Sequence, residues 1–124
     1  VSDEEAMMLT GTSTYTDAAK VFLQKTNAVF AITIGKEGTL LGLNNETHIV
    51  PSIDITPVDT TGAGDAFTGA VLYQLSFKPL APGIEFSEEL WKSIIYNGNK
   101  AGARTCEYLG AMEAFKHLSS DIFN

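Results

Sequence analysis

The sequence lacks several features of secreted and membrane proteins. Cys106 is the one cysteine, so no disulfide can form within the chain. No apolar stretch approaches the ~20 residues that a helix needs to cross a bilayer. Residues 1–5 carry an acidic surplus, whereas the beginning of a signal peptide is basic. We therefore expect a cytoplasmic protein with no membrane partner.

Basic residues are also scarce. The chain has 8 Lys and Arg against 15 Asp and Glu, which gives a formal net charge of −7. Because a nucleic-acid binder needs a basic patch or stripe, and these residues are scattered, the balance argues against nucleic acid as a partner. A single nucleotide is still allowed, since backbone dipoles and a magnesium ion can hold its phosphates.

The chain has the size and composition of one globular domain, with 124 residues and 44% hydrophobic content. Three strands are expected in its first half. Residues 28–34 are apolar and bounded by Asn27 and Gly35, which is typical of a buried strand in a parallel sheet. Residues 39–43 and 47–50 flank two asparagines, which favours a hairpin.

Four helices are expected between and after these strands. The first ends before Gly11, the second begins between residues 14 and 17, and the third follows Gly64. The last runs from a Ser87 cap to about Glu107. A loop is predicted at the five positions beginning with Pro79. Helices that alternate with strands indicate an α/β fold.

The last predicted helix has one face that narrows from large to small residues. Leu90 and Ile94 lie in its first half, and Gly98 and Gly102 in its second half. Such a surface lets another backbone approach closely, or lets a ligand pass over it. The sequence leaves both uses open.

The most informative segment is residues 58–67, with the sequence VDTTGAGDAF. Gly62 and Gly64 permit a tight turn, and the first amides of a following helix form a partly positive anion site. Asp65 lies where a carboxylate could take a proton from a substrate hydroxyl. This suits phosphoryl transfer. The simpler alternative is an aspartate that caps a helix after a glycine-rich turn.

The same segment resembles the second signature of the ribokinase-like (PfkB) carbohydrate and nucleoside kinases, a DTxGAGD stretch. The matching positions are Asp59, Thr61, Gly62, Ala63, Gly64 and Asp65. The resemblance implies that Asp65 deprotonates the sugar hydroxyl. It also implies that the amides of Gly62, Ala63 and Gly64 stabilise charge on the transferring phosphoryl group of ATP.

Two further segments resemble the nucleotide-binding parts of these kinases. Thr33, Gly35 and Gly38 match a TxGxxG loop that lies along the nucleotide in the family, with Gly64 close to its phosphates. Asn99 stands where an asparagine lies near the adenine. By itself the glycine pattern is also typical of an ordinary turn at a strand end.

The resemblance also implies metal sites. Ser2 to Glu5 is similar to an NxxE motif in which the glutamate, here Glu5, organises magnesium and its waters. Ser2 departs from the usual asparagine, and an acidic first helical turn is an alternative explanation. Asp59 and Thr61, with backbone carbonyls near Thr105, Tyr108 and Gly110, occupy places where many members bind potassium.

The likeness covers the whole chain but only part of the family's usual length. It implies that residues 1–124 are the C-terminal nucleotide-binding and catalytic portion of a ribokinase-like three-layer α/β/α sandwich. The N-terminal sugar-binding and lid portion would lie outside these residues. A homodimer formed through that lid is a further implication.

The preferred hypothesis is an ATP- and magnesium-dependent sugar kinase, with fructose as the expected substrate. Ribose, 2-keto-3-deoxygluconate and adenosine stay open. The alternative is a non-catalytic nucleotide-binding or assembly fragment of such a kinase. A dinucleotide-binding G-x-G-x-x-G loop is excluded, because Phe67 stands where that fingerprint needs glycine or alanine.

Overall fold

The fold is described from a computed structural model of residues 1–79 and 81–123. The chain forms two units, Val1–Pro51 and Ser52–Asn124, and each is described by itself. The helices and strands of the first unit are α1 (Asp3–Thr10), α2 (Tyr15–Lys25), β1 (Phe30–Thr33), β2 (Thr39–Leu43) and β3 (Glu46–Val50), with a short 3-10 helix at Gly35–Glu37. Those of the second unit are α3 (Ala63–Leu75), α4 (Glu88–Thr105), α5 (Ala111–His117) and a 3-10 helix at Ser120–Phe123.

Side-chain caps define three helix starts. The hydroxyl of Thr14 accepts a hydrogen bond from the backbone at the start of α2, and the hydroxyl of Ser87 does the same for α4. Ser2 caps α1, and Gly11 ends it in the left-handed conformation, with a φ of 68°. The predicted end of α1 at Gly11 and the predicted starts of α2 and α4 are confirmed, and α4 ends within two residues of the predicted boundary.

One prediction about the sheet is confirmed only in part. Residues 28–34 are expected to form a buried strand of a parallel sheet, but β1 covers only Phe30–Thr33, is mostly half-buried and pairs antiparallel with β2. Residues 34–38 join the two strands, and a parallel crossover needs about a dozen residues or more. Parallel pairing within the described residues is limited to an isolated bridge between Ser2 and Thr33.

The hairpin prediction is confirmed. β2 and β3 pair antiparallel, and the turn between them consists of Asn44 and Asn45. Both residues have positive φ, 52° and 63°, which matches the twist of the flanking strands in a two-residue turn. Asparagine tolerates this conformation better than most residues do.

The core of the first unit places small helical residues against the sheet. Ala6, Ala18 and Ala19 are buried, and they pack with Ile32 and Leu40 from β1 and β2. Because alanine side chains are short, the two helices can lie close to the strands.

In the second unit, α3 lies closely against α4. A Cβ atom added to Gly98 would lie 2.9 Å from the Phe67 ring, and one added to Gly102 would lie 3.1 Å from the carbonyl oxygen of Ala63. The small residues of α4 therefore serve close helix packing, which decides between the two uses that the sequence left open. The carbonyl of Ala63 belongs to the first turn of α3.

An amide pair also joins these two helices. The Gln74 side chain donates to the carbonyl of Ala70 in its own helix at 3.1 Å, and to that of Ile94 in α4 at 3.0 Å. Its oxygen accepts from the side chain of Asn97 at 2.8 Å. These bonds fix the register of α3 against α4 while keeping half-buried polar atoms paired.

The end of the chain contains an element that the sequence analysis does not predict. Helix α5 follows Gly110, and Glu113 in its first turn pairs with Lys116 at 3.0 Å and with His117 at 2.9 Å. The predicted loop at residues 79–83 has no helix or strand at its described positions, and Leu80 lies outside the described residues. None of the helices, over the part of the chain described, is long and apolar enough to cross a membrane.

Candidate active site

The turn before α3 leaves several backbone amides available. Gly62 has a φ of 82° and ends the turn, a conformation that a residue with a Cβ atom adopts only with strain. The amide of Ala63 donates to the carbonyl of Thr60 at 3.2 Å. Across residues 1–79 and 81–123, the amides of Gly62, Gly64 and Asp65 have no acceptor. The start of α3 therefore presents free donors together with the positive end of the helix dipole.

The side chain of Asp65 lies in the first turn of α3 and is exposed. It has no hydrogen bond or ion pair with any other described residue. It lines a largely apolar cleft of about 390 Å³, which is formed by α3, α4, α5 and residues 118–123. Asp65 is thus a carboxylate that a substrate hydroxyl could reach.

The side chain of Asp59 accepts three hydrogen bonds, in contrast to that of Asp65. Its Oδ1 accepts from the amide of Thr61 at 2.9 Å and from the hydroxyl of Thr61 at 2.7 Å. Its Oδ2 accepts from the amide of Gly110 at 3.0 Å. These bonds, that of the Thr61 hydroxyl first, hold the pKa of Asp59 below its ordinary value.

Cys106 ties the same turn to the end of α4 through its backbone. Its carbonyl accepts from the amides of Val58 at 2.7 Å and Asp59 at 3.1 Å. Its thiol is buried and donates to the carbonyl of Gly102 at 3.3 Å. Burial raises the pKa of this thiol, and the negative charge of Asp59 adds to the rise. The structural role of Cys106 agrees with a small buried residue.

Asn99, the predicted adenine neighbour, lies within α4 and is 6% exposed. Its role near the adenine stays a prediction. The second unit therefore brings Asp59, Thr61, the Gly62–Asp65 segment and Gly110 together, and it places Asn99 in the adjoining helix α4.

The other predicted site residues belong to the first unit. Glu5 forms a capping box with Ser2, in which the Ser2 amide donates to Oε2 of Glu5 at 2.9 Å and the Glu5 amide donates to the Ser2 hydroxyl at 3.2 Å. Ser2 in turn bridges to Thr33. The predicted magnesium residue and the beginning of the predicted nucleotide loop therefore lie at the same edge of this unit.

Backbone hydrogen bonds within the predicted nucleotide loop hold it in a tight turn. The amide of Ile34 donates to the carbonyl of Gly38 at 2.9 Å, and the amide of Gly38 donates to the carbonyl of Gly35 at 3.2 Å. Gly38 adopts a φ of 110° and a ψ of −127°, a combination that is essentially confined to glycine. This confirms a tight turn at the TxGxxG-like segment and leaves its nucleotide contact a prediction.

Residues 1–117 match the pfkB family of carbohydrate kinases. The chain belongs to that family. Two relatives of this pfkB chain illustrate the likeness. Fructokinase-1 of Zea mays is 34% identical over 113 residues, which are 90% of this chain and 34% of the relative. The aminoimidazole riboside kinase of Salmonella typhimurium is 35% identical over 116 residues, 92% of this chain and 34% of the relative.

Solved structures agree with this membership. The aminoimidazole riboside kinase of Salmonella enterica, in complex with aminoimidazole riboside and an ATP analog, superposes with a TM-score of 0.85. It is 32% identical, and the match covers 100% of this chain and 39% of that one. Fructokinase of Vibrio cholerae, with fructose, ADP and calcium bound, gives a TM-score of 0.80 at 32% identity, over 91% and 35% of the two chains. The α/β fold expected from the resemblance is confirmed.

The chain spans about a third of the length of these relatives. Sequence reasoning missed two contributors to the site, the carbonyl of Cys106 and the amide of Gly110 as a donor to Asp59. Backbone groups carry no signal in the side-chain pattern. The Ser2–Glu5 capping box was readable, because serine followed three residues later by glutamate is its signature.

Proposed function

We propose that the protein containing these residues is an ATP-dependent kinase that phosphorylates a sugar hydroxyl, with Asp65 as the general base. The observation that carries the proposal is the pairing of an exposed, unpartnered carboxylate with free amides in the same helical turn. Membership of the pfkB family supports it.

The chemistry needs little covalent participation from the protein. Asp65 takes the proton of the sugar hydroxyl while the oxygen of that hydroxyl forms a bond to the γ-phosphorus of ATP. The bond from this phosphorus to the leaving oxygen of ADP breaks in the same step. The free amides of Gly62 and Gly64 donate to the phosphoryl oxygens, where negative charge is concentrated during transfer. Ala63 would contribute only if its bond to Thr60 is released.

Magnesium and ATP complete the proposal. Glu5 is exposed and uses only one carboxylate oxygen in its capping box, so the other suits a magnesium ion held through water. Magnesium supplies charge neutralisation for the phosphates. Thr33, Gly35, Gly38 and Asn99 are proposed to contact the nucleotide, with support from the family resemblance.

Potassium remains a separate prediction, with backbone carbonyls near Thr105, Tyr108 and Gly110 as candidate ligands. Asp59 and Thr61 stay in that candidate set, because the Asp59 carboxylate keeps one acceptor position open and the Thr61 hydroxyl, which donates to Asp59, keeps its own lone pairs.

Fructose is the proposed substrate, since several relatives are fructokinases. The candidate substrates to be tested also include ribose, 2-keto-3-deoxygluconate and adenosine. Aminoimidazole riboside is added because an aminoimidazole riboside kinase is about as similar in sequence as the fructokinases are. We propose a cytoplasmic protein whose remaining portion holds the sugar-binding residues and a dimerising lid. Residues 1–124 would then be its C-terminal portion.

A second candidate follows from the chain's length relative to its relatives. A stretch of about a third of a kinase, standing alone, would be a nucleotide-binding or assembly fragment without turnover. Calorimetric titration of the 124-residue chain with a non-hydrolysable MgATP analogue tests nucleotide binding. ADP release by the longest natural protein that contains these residues, with and without each sugar, then separates the kinase from the fragment.

A further inference from the structure

We propose that Asp59 is a positioning residue, whose carboxylate clamps the turn before α3 to the segment between α4 and α5. The inference rests on the proposed kinase function, to which it adds a residue that touches neither substrate nor phosphate.

Three donors converge on this carboxylate. Two come from Thr61, two residues along the chain, and the third is the amide of Gly110, 51 residues away. A carboxylate has about four acceptor positions, so three are taken. The remaining position, on Oδ2, stays open.

The clamp acts together with the backbone of Cys106. The carbonyl of Cys106 holds the amides of Val58 and Asp59, at the beginning of the turn. The carboxylate of Asp59 then holds Thr61 inside the turn and Gly110 beyond the end of α4. Because the segment is fixed at these points, its later amides are directed outward instead of folding back onto a local acceptor.

Electrostatics give a second reason for this arrangement. A free carboxylate six residues before Asp65 would repel the phosphates that the start of α3 is proposed to bind. Three donated hydrogen bonds offset that charge locally and fix its position. The backbone amides of Gly64 and Asp65 can then face an anion while the carboxylate of Asp59 keeps its hydrogen bonds.

Substitutions at the two ends of the clamp test the proposal in the complete natural protein. In Asp59→Asn, the amide still accepts from Thr61 but turns an N–H group toward the amide of Gly110. A displacement of about 1 Å at a reacting centre lowers turnover on the order of 100-fold, so we expect kcat to fall by roughly 10- to 100-fold, with the sugar KM within about threefold. Thr61→Ser keeps both bonds to Asp59 and should have a nearly normal kcat. Thr61→Val loses the hydroxyl bond, so its kcat should lie between those of Asp59→Asn and the unmodified protein.

Ser87→Ala is the matched control for stability. It removes the hydrogen bond that the Leu90 amide donates to the Ser87 hydroxyl, in the same unit, at the start of α4 and outside the turn. It should lower the melting temperature without changing kcat of the folded enzyme. If Asp59→Asn changes kcat no more than Ser87→Ala does, the clamp is merely structural and the proposal is overturned.

Two additional measurements separate the possible failures. Recovery of normal kcat by Asp59→Asn at high KCl would show that Asp59 is a cation ligand, and would overturn the clamp. In the 124-residue chain, Asp59→Asn should shift the backbone amide resonances of Thr61, Gly110, Gly64 and Asp65, and Ser87→Ala should leave them in place. Unchanged resonances would overturn the clamp even if no kinase activity is found. Absence of phosphorylation by the unmodified protein would instead refute the proposed function.

Discussion

The carboxylate of Asp59 accepts a hydrogen bond from the backbone amide of Gly110, 3.0 Å away and 51 residues later in the chain. This contact joins the DTxGAGD turn to the segment between α4 and α5. Asp65, in the same signature, has no such partner among the described residues. The two aspartates therefore differ in their surroundings: Asp59 is bonded to the turn and to Gly110, and Asp65 is exposed.

Packing between α3 and α4 predicts the effect of a methyl group at Gly98. Gly98→Ala should lower the free energy of unfolding by about 1–3 kcal/mol, because the added Cβ would lie 2.9 Å from the Phe67 ring. Gly69→Ala, at an exposed position of α3 that lines the cleft, meets nothing within 4 Å and should stabilise by up to ~1 kcal/mol through helix propensity. Urea unfolding of both variants checks this. A Gly98→Ala variant as stable as the unmodified chain would show that the helices are less tightly packed than described.

The amide pair between the helices should be sensitive to truncation. Gln74→Ala removes the bonds to Asn97 and to the carbonyl of Ile94, so we expect a loss of about 1–3 kcal/mol. Gln24→Ala, at an exposed position of α2, should change stability by less than ~0.5 kcal/mol. Thermal and urea unfolding measure both. Equal effects of the two changes would argue against the pair.

Acid should weaken the last helix through Glu113. Hydrogen bonds from His117 and then Lys116 lower the pKa of this carboxyl below its ordinary value of 4.5. Because the folded-state pKa is the lower one, the stabilisation is fully present above pH 4.5 and disappears as the pH falls through the folded-state value. Melting temperatures of the chain and of Glu113→Gln should therefore converge in acid. A constant difference between them at all pH values would contradict this account.

Cys106 should react slowly with alkylating reagents. Its thiol is buried and its pKa is raised, so little thiolate is available near neutral pH. We expect alkylation by iodoacetamide at pH 7.5 to be at least about tenfold slower in the folded chain than in denaturant. Mass spectrometry over time measures the two rates. Fast reaction of the folded chain would mean that the end of α4 opens readily.

Local features of the fold were predictable from the sequence, and long-range pairing was not. Ser87 and the two asparagines of the hairpin mark their elements because a cap and a tight turn depend on a few adjacent residues. The orientation of β1 depends on its partner strand, and a short apolar sequence is compatible with both parallel and antiparallel pairing. Only the short connection at residues 34–38 could have corrected it.

In the candidate site too, local features were predictable and long-range contacts were not. Asp65 and the glycines before it were predicted because they belong to a local sequence motif, and their surroundings agree with a reachable base. The tie between Asp59 and Gly110 was missed, since it depends on a backbone amide brought close by the fold. Helix α5 was also missed, although Glu113 with Lys116 and His117 has the spacing of helical ion pairs.

The central claim is that Asp65 is the general base of a sugar kinase, and sugar-dependent ADP release tests it most directly. The longest natural protein containing these residues is assayed with MgATP and each candidate sugar, beside its Asp65→Asn and Asp54→Asn variants. Asp54 is an exposed aspartate of the same unit, outside the turn. We predict release with fructose, a loss of at least about 100-fold in kcat for Asp65→Asn with nearly unchanged nucleotide binding, and normal turnover for Asp54→Asn. Turnover by Asp65→Asn equal to that of the unmodified protein would contradict the claim.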